Sequence, residues 1–452
     1  MITGLLEITL DRIASLEHFY YSEYESIETK SREGMVPNSY GFLVCDYLQR
    51  LSRGYDFNKL EETKKQKETV EGLIDIIEEK KSDGSTKIRY EIKDRALLVN
   101  AGFELDIHKA RRAFSKFAEM PTIHANNTLI TLITRFEDFI SRLISCVYKM
   151  YPQQYLDKQT ISFSEIVDCG VNEIREKIVY REVDAMMRKS YTEWFKLFEG
   201  HGFSFTSCKT EMDDLKEIYA RRNIIVHNEG KVNDIYLKNT GKTNAKIGEV
   251  LDVDRTYLKK AFHTIRIIVF SIMIEATKIV QSDKDEYLYS IFSIAFELLK
   301  QREYMLCKHV FCAIKQNKYG SESTRKLSQV NYWLAQKGLN GIKSIEDEVR
   351  KFDVSALSKE FSMAKQLLLD NYDEATALVT ELFDKGDVTA NVLQEWPLFI
   401  DYRETEQYKA FQQAHPDEFN IEMVEVNSPE TEDSTAQTDI INNALDSVVV
   451  TQ

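Results

Sequence analysis

Residues that make turns are scarce: 17 glycines and 6 prolines punctuate 452 positions. A many-stranded sandwich or barrel needs a turn signal every dozen residues or fewer, so the composition points to long helices instead. Cysteine is thin as well. Cys45, Cys146, Cys169, Cys208, Cys307 and Cys312 are scattered, with no Cys-x-x-Cys and no Cys/His cluster at zinc spacing. That excludes a disulfide scaffold and a zinc ribbon, and it reads as reduced thiols in a cytoplasmic protein. Long apolar runs are missing too. The best candidate, Ile265 to Val280, is interrupted by Arg266, Glu275 and Lys278, whereas a bilayer span needs ~20 mostly apolar residues. A buried helix and no membrane contact are expected there. The N-terminus has no basic start and carries Glu7, Asp11 and Arg12, which is unlike a signal peptide. No glycine-rich phosphate loop and no nucleophile elbow occurs.

What is present suits a globular chain of two or three domains. Hydrophobic residues make up 43% and charged residues 29%, ordinary proportions for a protein with a sizeable core. The net charge of −14 is unevenly spread. Nine acidic residues and no Lys or Arg lie between Asp417 and Gln452, which leaves −5 for everything before them. The headline charge therefore says little about whether the folded part meets nucleic acid.

Four regions separate by composition. Residues 1–118 are a small mixed α/β region: Leu60 to Lys80 has a helical period with Val70, Leu73, Ile74 and Ile77 on one side. Ser82-Asp83-Gly84-Ser85 is a turn signal, after which Ile88, Tyr90 and Ile92 alternate like a strand. Residues 119–282 read as a helical bundle. Pro121, Asn126 and Asn127 mark a helix start, and Leu129, Leu132, Ile133, Phe136, Phe139, Ile140, Leu143 and Ile144 follow the spacing of a helix buried on one face. Further helices are predicted from Val171 through Met187 towards Phe198, from Met212 to His227 and from Arg255 to Val280. Loops are expected over Gly200–Ser207 and Asn228–Lys246. Residues 285–415 read as helical hairpins. Ala295, Leu298, Leu299, Tyr304 and Ala313 match Ala364, Leu367, Leu368, Tyr372 and Ala375 in type and approximate spacing. This resembles the helix–turn–helix units of tetratricopeptide-like repeats, with ordinary hairpins lacking a groove as the alternative. The tail, 417–452, has the composition of a disordered segment, with Val448-Val449-Val450 as a candidate docking strand. The fold class expected is mainly α.

Of eight histidines, seven stand alone without a partner at ligand spacing. The eighth sits in Arg221-Arg222-Asn223-Ile224-Ile225-Val226-His227-Asn228-Glu229-Gly230. An Arg followed by four to six residues and a His is a weak signal, and Arg12 with His18 and Arg302 with His309 match it as decoys. Context separates the third instance. Asn223 follows the arginine. His227 opens Asn228-Glu229-Gly230-Lys231-Val232-Asn233-Asp234-Ile235-Tyr236, and Arg135-Phe136-Glu137-Asp138-Phe139-Ile140 lies upstream. Together these resemble the HEPN family, in the branch whose motif continues His-Asn-x-Gly-x-Val-Asn-x-x-Tyr, over about residues 120–280.

The resemblance implies a helical-bundle endoribonuclease acting without metal or cofactor on RNA, tRNA being favoured, as a toxin or antiphage-defence effector. It also implies a homodimer with paired motifs facing one cleft, and the hairpin region would be the place for a regulatory protein. His227 would move the proton of a ribose 2′-hydroxyl, and Arg222 would hold the phosphate. Asn223 would orient the imidazole or hold the ribose. Glu137 or Asp138, and Asn228, are supporting candidates, and the pattern does not say which of the two carboxylates turns inward. On an ideal helix Asn223 and His227 share a face, while Arg222 and His227 stand about 140° apart. A helix end near Val226, or a second copy of the motif, would bring the latter two together. Asn228 and Gly230 are helix-stop residues that would leave His227 in the last turn. Residues 205–240 carry six basic and six acidic side chains, so no basic patch advertises RNA; basic help could come from Lys109-Ala110-Arg111-Arg112, with a solvated helix face as the alternative reading of that run. Two other roles are open. Arg222 and His227 could merely close a helix terminus or pair with Glu217, Glu229 or Asp234, and the whole chain could be a non-catalytic adaptor that dimerises through the bundle and binds a protein on its repeats.

Overall fold

The computed structural model describes residues 2–34, 40–52, 57, 61–80, 86–93, 119–153, 170–241 and 245–419. The described chain is mainly helical. In order it runs α1 (Ile2–Gly34), α2 (Tyr40–Ser52), α3 (Glu61–Leu73), β1 (Ile74–Lys80), β2 (Thr86–Ile92), α4 (Met120–Met150), α5 (Val171–Met187) and α6 (Tyr191–Gly200). Then follow α7 (Lys209–Asn228), α8 (Asp234–Thr240), α9 (Arg255–Ala276), α10 (Lys284–Lys300), α11 (Tyr304–Lys315), α12 (Glu322–Asn340), α13 (Glu346–Lys351), α14 (Lys359–Leu368) and α15 (Tyr372–Asp384), with shorter helices up to Pro416–Phe419. The turn at 82–85, the basic run at 109–112 and the tail beyond Phe419 lie outside the described residues. Among the described residues no helix is long and apolar enough to cross a membrane.

Internal contacts divide the chain into two compact units. One comprises Met1–Leu10, Phe136–Leu215 and His263–Gln452; the other comprises Asp11–Arg135 and Lys216–Phe262. The boundaries fall inside α1, α4, α7 and α9. The first is called the hairpin unit below and the second the motif unit.

In the hairpin unit the second half of α4 buries Phe136, Phe139, Ile140, Leu143 and Ile144, the three-four spacing of one apolar face. The run from Ile267 to Ile274 on α9 is buried throughout, as expected for a core helix. The Tyr287 hydroxyl donates to the Met273 carbonyl at 2.9 Å and ties α10 to it. The helix expected from Val171 towards Phe198 is two helices. The chain turns extended at Ser190 (φ −67°, ψ 152°), and the Trp194 indole donates back to the Met186 carbonyl at 2.8 Å.

Two hairpins of this unit share one turn. Arg302 (φ +63°) lies two residues before Tyr304, and Asp370 (φ +56°) lies two before Tyr372. The Glu303 N–H bonds the Leu298 carbonyl at 3.1 Å, and the Asn371 N–H bonds the Gln366 carbonyl at 3.0 Å. This geometry fixes the correspondence. Leu299 matches Leu367, and buried Cys307 matches buried Ala375, so of the pairings suggested by residue type Tyr304–Tyr372 stands, those of Ala295, Leu298 and Leu299 shift by one residue, and Ala313–Ala375 is replaced.

In the motif unit two expectations fail, the first being the loop expected over Asn228–Lys246, which contains α8. The helix predicted to reach Lys80 stops at Leu73, and Ile74–Lys80 is a strand paired antiparallel with β2, from Ile74↔Ile92 to Lys80↔Thr86. Three isoleucines in Ile74-Asp75-Ile76-Ile77 prefer a pleated surface to a helix. Ile74 enters a core of Val44, Tyr47, Phe57 and Val70, a tertiary reward that periodicity did not display.

Candidate functional site

The sequence motif lies in the motif unit, on the last two turns of α7, which runs unbroken through it to Asn228. The helix therefore does not end near Val226, and His227 sits in the last turn as its following residues suggested. Glu229 (φ +52°) and Gly230 (φ +74°) then take the left-handed region and stop the helix. The Gly230 N–H reaches back to the Ile224 carbonyl at 3.0 Å. The Asn228 amide donates to the Lys231 carbonyl at 2.6 Å.

Downstream, most of the motif's extension is used for folding. Lys231 forms a bridge with Val250, and Val232 bonds through its backbone to Glu249 (2.8 Å) and Gly248 (2.9 Å). Val232 is buried with Ala220, Ile224 and Tyr236 in one cluster. Asn233 caps α8 by accepting the Tyr236 N–H at 2.9 Å. The Asn228, Gly230, Val232, Asn233 and Tyr236 positions thus each have a structural duty, with Asn228 capping the turn that follows α7.

Beneath α7 lies a network that the sequence did not reveal. Glu217 and Arg221, one turn apart and each only 8% exposed, pair at 2.8 Å through Nη2 and 2.9 Å through Nε. Tyr236 and Tyr257 both donate their hydroxyl hydrogens to Glu217 at 2.7 Å. Arg221 Nη1 donates to the Asp252 carbonyl at 2.9 Å, and its guanidinium lies 4.6 Å from the Tyr257 ring centroid. Burial opposes the Arg221 charge, but Glu217 and the tyrosines outweigh it and raise its pKa. Burial, reinforced by the Glu217 carboxylate, holds Tyr236 and Tyr257 protonated well above the usual tyrosine range. The Glu217/Arg221 spacing was visible as an i,i+4 pair; Tyr257, 40 residues beyond Glu217, carried no local signal. The alternative in which Glu217 takes Arg222 is therefore corrected: it takes Arg221.

Two of the motif's remaining polar residues face outward. Asn223 and His227 are exposed, and Arg222 is half-buried. Arg222 Nη1 reaches Asn223 Oδ1 at 3.3 Å, while its covered Nε has no hydrogen-bond partner among the described residues. Glu229 takes Lys231 at 2.6 Å, not His227, and among the described residues His227 forms no hydrogen bond or ion pair. Val226 is 46% exposed beside them. The other candidates belong to the hairpin unit. Glu137 and Asp138 are both half-buried on α4, and Asp138 pairs with Arg142 at 3.0 Å. The structure brings Arg222 together with Asn223 and aligns Asn223 with His227 on one helix. Among the described residues no group of three His, Cys, Asp or Glu is placed to hold a metal ion.

Chemically, Arg222, Asn223 and His227 combine a guanidinium with an unengaged donor, a carboxamide and an imidazole. These can move a proton, bind a phosphate oxygen and hold a hydroxyl. Comparison of the chain with family models, with curated proteins and with solved structures returned no match.

Proposed function

We propose that the chain is a HEPN-type, metal-independent endoribonuclease cutting tRNA or another cellular RNA, and that it acts as a toxin or antiphage-defence effector. One observation carries this reading. The fold uses the rest of the motif in caps, turns and a core cluster, and it leaves Asn223 and His227 exposed and Arg222 half-buried outside that cluster.

In the proposed reaction, His227 accepts the ribose 2′-hydroxyl proton as that oxygen attacks the adjacent phosphorus. The P–O5′ bond breaks, and the departing oxygen takes a proton from a second imidazole. Arg222 binds the phosphoryl oxygens on which negative charge grows. The products are a 2′,3′-cyclic phosphate and a 5′-hydroxyl. Because the unbroken helix turns Arg222 about 140° away from His227, the reaction is assigned to a homodimer in which two motifs share one cleft. Exposed Val226, Ile235, Ile247 and Val250, all within the segment around the end of α7, give such a pairing apolar surface to bury.

The test is cleavage of total tRNA in EDTA by wild type beside His227→Ala, with the new ends mapped. Cyclic phosphate ends made by wild type alone support the reading. Cleavage that persists in His227→Ala sinks it. The rival reading, an adaptor that dimerises and binds a protein on its hairpins, draws on the same exposed apolar residues and on the balanced charge around the motif. In cells an adaptor is indifferent to His227→Ala, whereas a toxin loses its effect.

A further inference from the structure

A groove of about 510 Å³ opens in the hairpin unit between the end of α11, one face of α12 and the end of α13. Its floor is aromatic: Trp333 and Phe352 meet edge to face at 5.1 Å. Its rim is cationic, with Lys315, Arg325, Lys326 and Lys351 against two carboxylates, Glu322 and Glu348. Glu348 is already engaged by the Trp333 indole N–H at 2.9 Å. Lys315 lies 3.7 Å from the Tyr332 ring centroid and Lys326 5.2 Å from that of Phe352. None of the four cations forms an ion pair among the described residues. With four cations against two carboxylates, the rim is net positive in a chain of net charge −14.

The chain carries the complementary segment itself. The 33 residues from Asn420 to Gln452 hold seven carboxylates and no Lys or Arg, interleaved with apolar residues as in Ile421-Glu422-Met423-Val424-Glu425-Val426. They follow Phe419, which belongs to the same unit as the groove. Fully extended, they reach on the order of 100 Å, and tethering keeps them at an effective concentration near the millimolar range. We propose that this acidic tail docks in the Trp333–Phe352 groove, its carboxylates on the four cations and its apolar side chains on the aromatic floor. An acidic segment of a partner protein must then displace the tail to bind there. This inference stands independently of the ribonuclease reading, since it invokes neither Arg222 nor His227.

The experiment uses the full chain and a fluorescein-labelled synthetic peptide of residues 420–452. A variant with the seven tail carboxylates replaced by their amides should bind the peptide at least about tenfold tighter than wild type, because its own tail no longer competes. Lys326→Glu with Lys351→Glu in that background should abolish binding, and Lys343→Glu, outside the groove, should leave it intact. A carbodiimide that joins carboxylates to amines should cross-link the wild-type tail to Lys315, Lys326 or Lys351 at high dilution. Equal peptide affinity for wild type and the amide variant overturns the proposal, as do cross-links confined to other lysines. Stronger competition by an oligouridylate of matching charge than by unlabelled peptide also overturns it, and assigns the groove to nucleic acid instead.

Discussion

The Arg221 guanidinium is held 2.8 Å from the Glu217 carboxylate one turn earlier on α7, while Arg222, its neighbour in the chain, reaches Asn223 alone among the described residues. Adjacent arginines on a helix point about 100° apart, and here that rotation separates a folding residue from a free one. The two should respond oppositely to truncation. Arg221→Ala strands a buried carboxylate and should cost about 3–5 kcal/mol. Arg222→Ala, at a half-buried position, should stay within about 0.5 kcal/mol and abolish RNA cleavage. Urea unfolding of both variants beside the tRNA assay checks this. A large stability loss in Arg222→Ala with none in Arg221→Ala would reverse the assignment.

Tyr236 offers a second test of the same network. Tyr236→Phe removes a hydrogen bond to a charged acceptor and leaves Glu217 with Arg221 and Tyr257. About 1.5–3 kcal/mol should be lost. Asn233→Ala removes the cap of α8 and should cost about 1 kcal/mol. The unfolding midpoints of the two single variants and the double variant measure both, and the two residues are close enough that additivity should fail.

How much of this was legible beforehand follows from how local each cause is. The buried face of α4 was readable because Leu129 through Ile144 repeat within one helix, and the stop of α7 was readable because Gly230 tolerates a positive φ. The ending of α3 at Leu73 was not, because the preference of Ile74 depends on a strand and a cluster supplied by Val44, Tyr47 and Phe57. The true partners of Glu217 were hidden for the same reason: Tyr257 arrives from α9. Of the candidate site, the motif residues stood out by pattern, while Glu137 and Asp138 were undecided because period alone puts both at the edge of the apolar face.

The tyrosines of the network also set an alkaline limit. Tyr236 and Tyr257 keep their protons in the fold above the usual tyrosine range, whereas in the unfolded chain they titrate near pH ~10. Above that pH the unfolded state binds fewer protons than the folded state, so stability falls as pH rises. The contribution is fully present below pH ~10 and is lost progressively as pH climbs towards the folded pKa values, at about 1.4 kcal/mol per pH unit for each tyrosine. Urea midpoints between pH 9 and 11.5 should decline, with a shallower slope in Tyr236→Phe. A slope unchanged by that substitution would show that other groups carry the alkaline loss.

The division of labour on α7 makes a last demand on Asn223. It shares a face with His227, it is exposed, and among the described residues its side chain forms one hydrogen bond, the 3.3 Å contact from Arg222. Asn223→Ala should therefore leave the unfolding midpoint within about 0.5 kcal/mol of wild type. If its carboxamide orients the His227 imidazole, the variant should lower kcat and displace the pH–rate profile. If it holds the ribose, KM should rise with the profile unmoved. Single-turnover cleavage of a tRNA substrate across pH 5 to 9 separates the two. Unchanged kcat, KM and profile together would remove Asn223 from the site and leave Arg222 and His227 to carry it.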